Sequence, residues 1–194
     1  MTTTRLEAFS DGVIAILITI MVLDLKMPDG ATTWSAIRDS GLIAKLLTYV
    51  LSFIMLGIYW NNHHHMLHVT KEVNGRILWA NLHLLFWLSL VPFATSWVGS
   101  GHNAQLPTAV YAFVFLMSGQ AWDILARQIV KMRANASALP ALRPHERKGL
   151  ISRLLYLAGI GLAFVYPPIS DACVLTVALM WLVPDRRIER QAAP

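Results

Sequence analysis

Hydrophobic residues occur in long runs separated by short polar stretches, and this pattern is typical of a protein built from membrane-spanning helices. A helix needs about 20 mostly apolar residues to cross a hydrocarbon core of roughly 30 Å. We predict six helices, at about residues 5–27, 41–70, 75–98, 106–132, 148–166 and 168–184. The predicted fold is therefore all-α: a polytopic membrane protein whose residues 1–194 form a single transmembrane domain.

The first segment is unusual for a spanning helix because its apolar part is short. It runs without interruption only from Gly12 to Leu23, which as a helix is about 18 Å long. To span, the helix must also include Ser10, Asp11 and Asp24. Carboxylates are costly in lipid, so we expect this helix inside a bundle, near polar partners or water. A secretory signal peptide is the alternative, but it requires a basic start and a small-residue cleavage site, whereas here Arg5 is offset by Glu7 and Asp11 and no such site follows.

This helix is predicted to have two different faces. At 100° per residue, Ile16, Ile20 and Leu23 lie on one line, with Phe9 below them and Thr19 on the flank. The neighbouring serine and aspartate project well away from that line. One face is therefore branched-aliphatic at its centre, and the other presents polar groups to neighbouring helices.

The charges of the loops predict the orientation of the chain in the membrane. Basic residues are concentrated in alternate loops and in the C-terminal tail, whereas the intervening loops are poor in Lys and Arg. By the positive-inside rule, the six helices then place both termini in the cytoplasm of a multi-pass cell-membrane protein. The basic loops and tail contain Lys71, Arg76, Lys131, Arg133, Arg143, Arg147, Lys148, Arg186, Arg187 and Arg190.

Composition narrows the function classes. The chain is 56% hydrophobic and 14% charged, so it is an integral membrane protein, and its net charge of +5 reflects topogenic loop residues rather than a nucleic-acid surface. The single Cys173 excludes a disulfide framework or a cysteine-based metal site within one chain. No nucleophile elbow, phosphate loop or paired catalytic carboxylates are evident, so we do not expect an enzyme.

Polar residues of four helices are predicted to share one layer near the cytoplasmic face. Counting about 1.5 Å per residue from the helix ends places hydrogen-bonding groups of the first four long segments at similar depth. In hydrocarbon such groups must find each other, and a fully paired set fixes the register of the helices. The residues in this layer are Ser10, Asp11, His64, Asn81, Asp123 and Arg127.

A run of histidines in the second long segment allows two interpretations. His64 and His68 are one turn apart and could share a metal ion, or histidines of this run could ligate haem together with His83. Three consecutive histidines, however, point around a helix rather than toward one centre. The other interpretation is a structural or pH-sensitive hydrogen-bond network.

Three short motifs occur in the first half of the chain: Arg5-x-x-x-Phe9-Ser10-Asp11 with its apolar continuation, Trp60-x-x-His63-His64, and the stretch from Asn81 to Thr95. They resemble motifs of the transmembrane protein 175 family of potassium channels. The likeness covers about the first half of the chain, and the second half matches only in its hydrophobic layout and in the basic loop before the fifth helix. One motif copy and six helices resemble the prokaryotic branch, in which four identical subunits surround a pore.

The resemblance implies a homotetramer in the lipid bilayer that conducts K⁺ and other monovalent cations without a cofactor or a metal centre. The first helix would line the pore, with Ile16, Ile20 and Leu23 forming a hydrophobic constriction and Thr19 a polar contact. Asp24, just past the constriction, would attract cations at the outer mouth. The residues implied to hold this helix in register are Arg5, Phe9, Ser10, Asp11, Trp60, His63, His64 and Asn81.

The chain contains no T-V-G-Y-G sequence, so replacement of the ion's water by filter carbonyls is not available to it. An aliphatic constriction would instead favour the cation that loses water most readily, which is K⁺ rather than Na⁺. Two alternatives stay open at this point: a histidine-rich membrane protein that binds metal or haem, and a proton-coupled transporter.

Overall fold

The computed structural model of the chain is a bundle of α-helices. It describes residues 2–27, 32–68, 70, 72–101, 104–132 and 145–182. Within these ranges the regular structure is entirely helical, which confirms the predicted all-α class. In chain order the α-helices are α1 (Thr3–Ile20), α2 (Trp34–Asp39), α3 (Leu42–His68), α4 (Gly75–Ser89), α5 (Val91–Gly101), α6 (Gln105–Met132), α7 (His145–Ala163) and α8 (Pro167–Leu182).

Local sequence signals explain where several helices begin. Thr33 caps α2 by accepting a hydrogen bond from the backbone N–H of Ala36 at 3.3 Å, and Asn74 caps α4 through the N–H of Ile77 at 3.0 Å. Both side chains satisfy a donor that the first helical turn leaves without a partner. Between α2 and α3 the chain turns at Gly41, whose φ of 75° favours glycine.

The third predicted segment is interrupted rather than continuous. The structure divides it into α4 and α5 at Leu90. Pro92 has no N–H to donate to Leu88 one turn earlier, and its ring crowds that carbonyl. The interruption therefore lies two residues before the proline itself.

Four segments are long and apolar enough to cross a membrane, which supports a multi-pass membrane protein. They are α1 with its 3₁₀ extension (Thr3–Asp24), α3, α4 continued by α5 (Gly75–Gly101), and α6. The last two helices are shorter or less apolar: α8 has 16 residues, about 24 Å, and α7 carries several charges in its 19 residues. The count of six spans therefore stays a prediction.

The packing of the bundle is centred on α6. This helix contacts α4, α5, α7 and α8, whereas α1 lies at one side of the bundle and packs on α3, α4 and α5. Because α1 is covered on one side only, its other side is open within the single subunit. The largest fully buried side chains of the core include Ile14, Leu56, Ile77, Leu84, Leu88, Tyr111, Phe115, Leu125 and Ile129.

Candidate functional site

The side of α1 that faces away from the bundle is a continuous apolar stripe. Ile16 is 59% exposed, Ile20 is 40% exposed and Leu23 is 70% exposed in the subunit. Phe9 is also exposed, at 49%, so the predicted line of four apolar residues lies on one open face. None of the described residues of the subunit covers this stripe.

Thr19 and Asp24 lie on or beside the same open face. The hydroxyl of Thr19 donates to the backbone carbonyls of Ala15 and Ile16 of its own helix, each at 3.0 Å. Its oxygen therefore keeps a lone pair that can face outward. Asp24 is exposed at the end of the 3₁₀ turn Met21–Asp24, and within the described ranges no ion pair engages its carboxylate.

The opposite side of α1 is anchored by a buried chain of hydrogen bonds. Asn81 of α4 donates from Nδ2 to Ser10 Oγ at 2.9 Å, and Ser10 in turn donates to the carbonyl of Leu6 at 2.9 Å. On its other side, Asn81 Oδ1 lies 2.7 Å from His63 Nε2 of α3. The three side chains are fully buried, so the chain joins α1, α3 and α4 in a place without water.

The direction of these bonds assigns the tautomer of His63. Because Ser10 uses its proton on Leu6, it must accept from the amide nitrogen of Asn81, which leaves the amide oxygen facing the imidazole. His63 therefore donates from Nε2. Its Nδ1 is buried and has no hydrogen-bond partner among the described residues.

A second, less buried set of contacts joins α1 to α3 nearby. The indole nitrogen of Trp60 donates to Asp11 Oδ1 at 3.0 Å, and His64 Nδ1 lies 2.8 Å from Glu7 Oε1. The imidazole of His64 stacks on the rings of Trp60 and His68 at 6.2 and 6.0 Å between centroids. These contacts lie beside the buried chain, closer to solvent.

The structure brings together most of the residues that the sequence predicts to hold α1. Ser10, Asn81 and His63 meet in one chain, and Asp11 meets Trp60. It is His63, not His64, that reaches Asn81, although the depth count placed His64 in that layer. Ser10 and Asp11, which are adjacent in sequence, bond to different helices, as their 100° separation requires.

Other residues of the predicted layer lie elsewhere. Asp123 of α6 pairs with Arg153 of α7 at 3.4 Å, and Arg127 is exposed. Arg5 is also exposed, and no hydrogen bond or ion pair joins it to another residue of the described ranges. These side chains therefore do not extend the buried chain within one subunit.

Sequence reasoning missed Glu7 as the partner of His64. The available signal was its spacing: Glu7 and Asp11 are four residues apart and so share the face of α1 opposite the apolar stripe. His83, considered as a haem ligand, instead accepts a hydrogen bond at Nε2 from Trp87 at 3.0 Å. The histidines of α3 and α4 thus have different neighbours rather than one common centre.

Comparison with known proteins identifies relatives over the whole chain. Residues 5–92 match the family described as endosomal/lysosomal potassium channel TMEM175. A potassium channel of Chryseobacterium sp. strain P1-3 is 50% identical over 190 residues, covering 98% of this chain and 97% of that protein. A potassium channel of Streptomyces collinus is 31% identical over 190 residues, covering 91% and 90% of the two chains.

A solved structure agrees with these matches. The crystal structure of a lysosomal potassium-selective channel TMEM175 homolog from Chamaesiphon minutus superposes with a TM-score of 0.72 and 26% identity. The match covers 93% of this chain and 96% of that one. Sequence, motif residues and fold therefore lead to one conclusion: the chain belongs to the TMEM175 family of potassium channels.

Proposed function

We propose that this protein is a homotetrameric, K⁺-permeable cation channel in which α1 of each subunit lines the pore. Its family consists of ion channels, not enzymes, and passive passage of K⁺ needs no cofactor. The observation that carries the proposal is the open apolar stripe of α1, because three large aliphatic side chains are exposed there while the opposite face is fully packed. Four copies meeting around an axis would cover this stripe.

The constriction follows from the same stripe. Ile16, Ile20 and Leu23 from four subunits would form successive aliphatic rings, and Thr19 would supply hydroxyl oxygens between them. Such rings limit the passage of hydrated ions by narrowing and by dewetting. K⁺ loses its water at lower cost than Na⁺, so a modest preference for K⁺ results without a filter of carbonyl groups.

The contacts of α1 with its neighbours support its role as a rigidly held pore-lining helix. The buried chain of Ser10, Asn81 and His63 holds the cytoplasmic half of α1 against α3 and α4. Asp24 is exposed beyond the stripe, where a carboxylate raises the local concentration of cations. With both termini in the cytoplasm and six spans, Asp24 would lie at the outer mouth.

Cysteine scanning tests the proposed pore lining, and the chain suits this method because Cys173 is its only cysteine. In a Cys173→Ser background, Leu23→Cys would place a thiol at the proposed pore, and Leu154→Cys would place one at a similarly exposed position of α7 (70% against 58% exposed). K⁺ flux from liposomes is measured before and after a charged thiol reagent is added to both sides.

We expect the reagent to reduce the K⁺ flux of Leu23→Cys and to leave that of Leu154→Cys unchanged. Mild oxidation should also cross-link Leu23→Cys between subunits, since these side chains approach each other near the axis. Block at Leu154→Cys with no effect at Leu23→Cys would place the conduction path away from α1 and would contradict the proposal.

A further inference from the structure

A group of metal-ligating side chains lies where α1 packs against α3, on the side of α1 opposite the apolar stripe. Glu7, Asp11 and His64 each offer a ligand atom, and these atoms lie within 4.8 Å of one another. The two carboxylates come from adjacent turns of α1 and the imidazole comes from α3. A single ion at this point would therefore bridge two helices.

The charges of this group favour a cation. Two carboxylates in close proximity repel each other unless a positive charge lies between or beside them. In the part of the chain that the structure describes, neither Glu7 nor Asp11 forms an ion pair with a Lys or Arg side chain, and Glu7 instead contacts the imidazole of His64. A divalent cation would balance both carboxylates.

Neighbouring side chains orient the ligand atoms in advance. The indole N–H of Trp60 engages Oδ1 of Asp11, which leaves the second carboxylate oxygen for an ion. The imidazole of His64 is stacked between the rings of Trp60 and His68, at interplanar angles of 25° and 24°. Such outer contacts are the usual way in which proteins fix the orientation of metal ligands.

The three ligand atoms, which lie within 4.8 Å of one another, reach the spacing required by a small transition-metal ion after rotation of their side chains. With bonds of 2.0–2.2 Å, the ligand atoms of a tetrahedral Zn²⁺ site lie about 3.4 Å apart. His64 Nδ1 and Glu7 Oε1 are 2.8 Å apart and would separate by about half an ångström. The side chain of His64 is 45% exposed, so water can reach the fourth position.

From these observations we infer that Glu7, Asp11 and His64 form a binding site for a divalent transition-metal cation of the Zn²⁺ class, which fastens α1 to α3. One imidazole and two carboxylates suit Zn²⁺, whereas Mg²⁺ prefers a near-octahedral shell of oxygen atoms. The ion is not a cofactor of conduction. Its binding restrains the helix that carries the apolar stripe, and the binding itself does not depend on the proposed channel activity.

Zinc binding by the purified full-length protein, carrying no histidine tag, tests this inference. Titration calorimetry is done with ZnCl₂ and with MgCl₂ on the wild type, Glu7→Gln, His64→Gln and the control His83→Gln. His83 lies on α4, accepts a hydrogen bond from Trp87 and is not a ligand of the proposed site. Thermal unfolding with and without ZnCl₂ reports whether the ion fastens the helices.

We expect one Zn²⁺ per subunit, a rise in Tm on adding Zn²⁺, and no binding of Mg²⁺ at the same concentrations. Binding should weaken by more than about tenfold in Glu7→Gln and His64→Gln and stay unchanged in His83→Gln. The inference is overturned if the wild type binds no Zn²⁺, or if its affinity is the same in Glu7→Gln and His64→Gln.

X-ray absorption spectroscopy of the zinc-loaded wild type gives a second test that does not depend on any variant folding. The proposed site predicts one imidazole nitrogen, with oxygen atoms as the other ligands. Two or more imidazoles around the ion would place it on the histidine run of α3 instead, and would overturn the assignment of Glu7 and Asp11.

Discussion

The two faces of α1 differ in what the single subunit provides for them. Toward α3 and α4, Leu6, Ser10, Ile14 and Leu17 are buried, and the polar one among them is fully bonded. Away from the bundle, the aliphatic stripe defined by Ile16, Ile20 and Leu23 is exposed and has no partner among the described residues of the subunit. The comparison teaches that hydrogen bonds within the subunit determine where this helix lies, while the proposed function depends on the face that the subunit leaves open.

The largest loss of stability is expected when Asn81, the central residue of the buried hydrogen-bond chain, is replaced. Asn81→Leu removes the hydrogen-bond partner of His63 Nε2 and the donor to Ser10. Ser10 keeps its bond to the carbonyl of Leu6, whereas the buried side chain of His63 is left unpaired, which costs about 1–3 kcal/mol. With the loss of the bond between Asn81 and Ser10 added, we expect the free energy of unfolding to fall by about 3 kcal/mol, measured as a lower Tm in detergent. Asn61→Leu, an exposed position of α3, is the matched control. Equal Tm values for the two variants would show that the buried chain does not hold α1.

A smaller loss of stability is expected when a second buried polar cluster, which does not involve α1, is changed. Tyr111 of α6 and Thr95 of α5 both bond to Ser52 of α3, at 2.8 and 2.7 Å. In Tyr111→Phe, Ser52 keeps its contact with Thr95, so only about 1 kcal/mol of stability should be lost. Denaturation of Tyr111→Phe beside Asn81→Leu checks this order. A larger loss in Tyr111→Phe than in Asn81→Leu would mean that the cluster of α3, α5 and α6 contributes more to stability than the hydrogen bonds that hold α1.

The smallest loss of stability is expected at the more exposed contact between α1 and α3, which joins Glu7 to His64. Glu7→Gln replaces the carboxylate that contacts His64, whose side chain is 45% exposed, by a neutral amide. Exposed pairs contribute about 0–1 kcal/mol, so in metal-free buffer the Tm should change little. Glu72→Gln, also exposed, provides the baseline. A fall in Tm as large as that of Asn81→Leu would show that the exposed contact stabilises α1 as much as the buried hydrogen bonds do.

Several features of the fold follow from short-range sequence signals. The interruption near Pro92, the turn before α4 and the short surface helix α2 depend on residues within one or two turns, so they are visible in the sequence. The two faces of α1 also follow from its periodicity alone. The ends of α7 and α8 are harder to predict, because α7 mixes charged and apolar residues without a clear period.

The pairing of side chains between helices was only partly predictable. A depth count places Ser10 and Asn81 at the same level, but it does not say how far α3 is rotated about its axis. That rotation decides that His63 faces Asn81 and that His64 faces Glu7. The number of subunits cannot be derived from the periodicity of one chain, since the stripe of α1 gives only the apolar face of one helix.

The most direct test of the central claim is the flux of K⁺ and Na⁺ through the purified protein in liposomes, compared between wild type and Ile16→Asn. Ile151→Asn makes the same change at an exposed position of α7 and serves as the control. We predict that wild type and Ile151→Asn pass K⁺ in preference to Na⁺. Ile16→Asn should pass more of both ions with less discrimination, because a polar ring is wetted more easily. Unchanged flux and selectivity in Ile16→Asn would contradict the assignment of the constriction to α1.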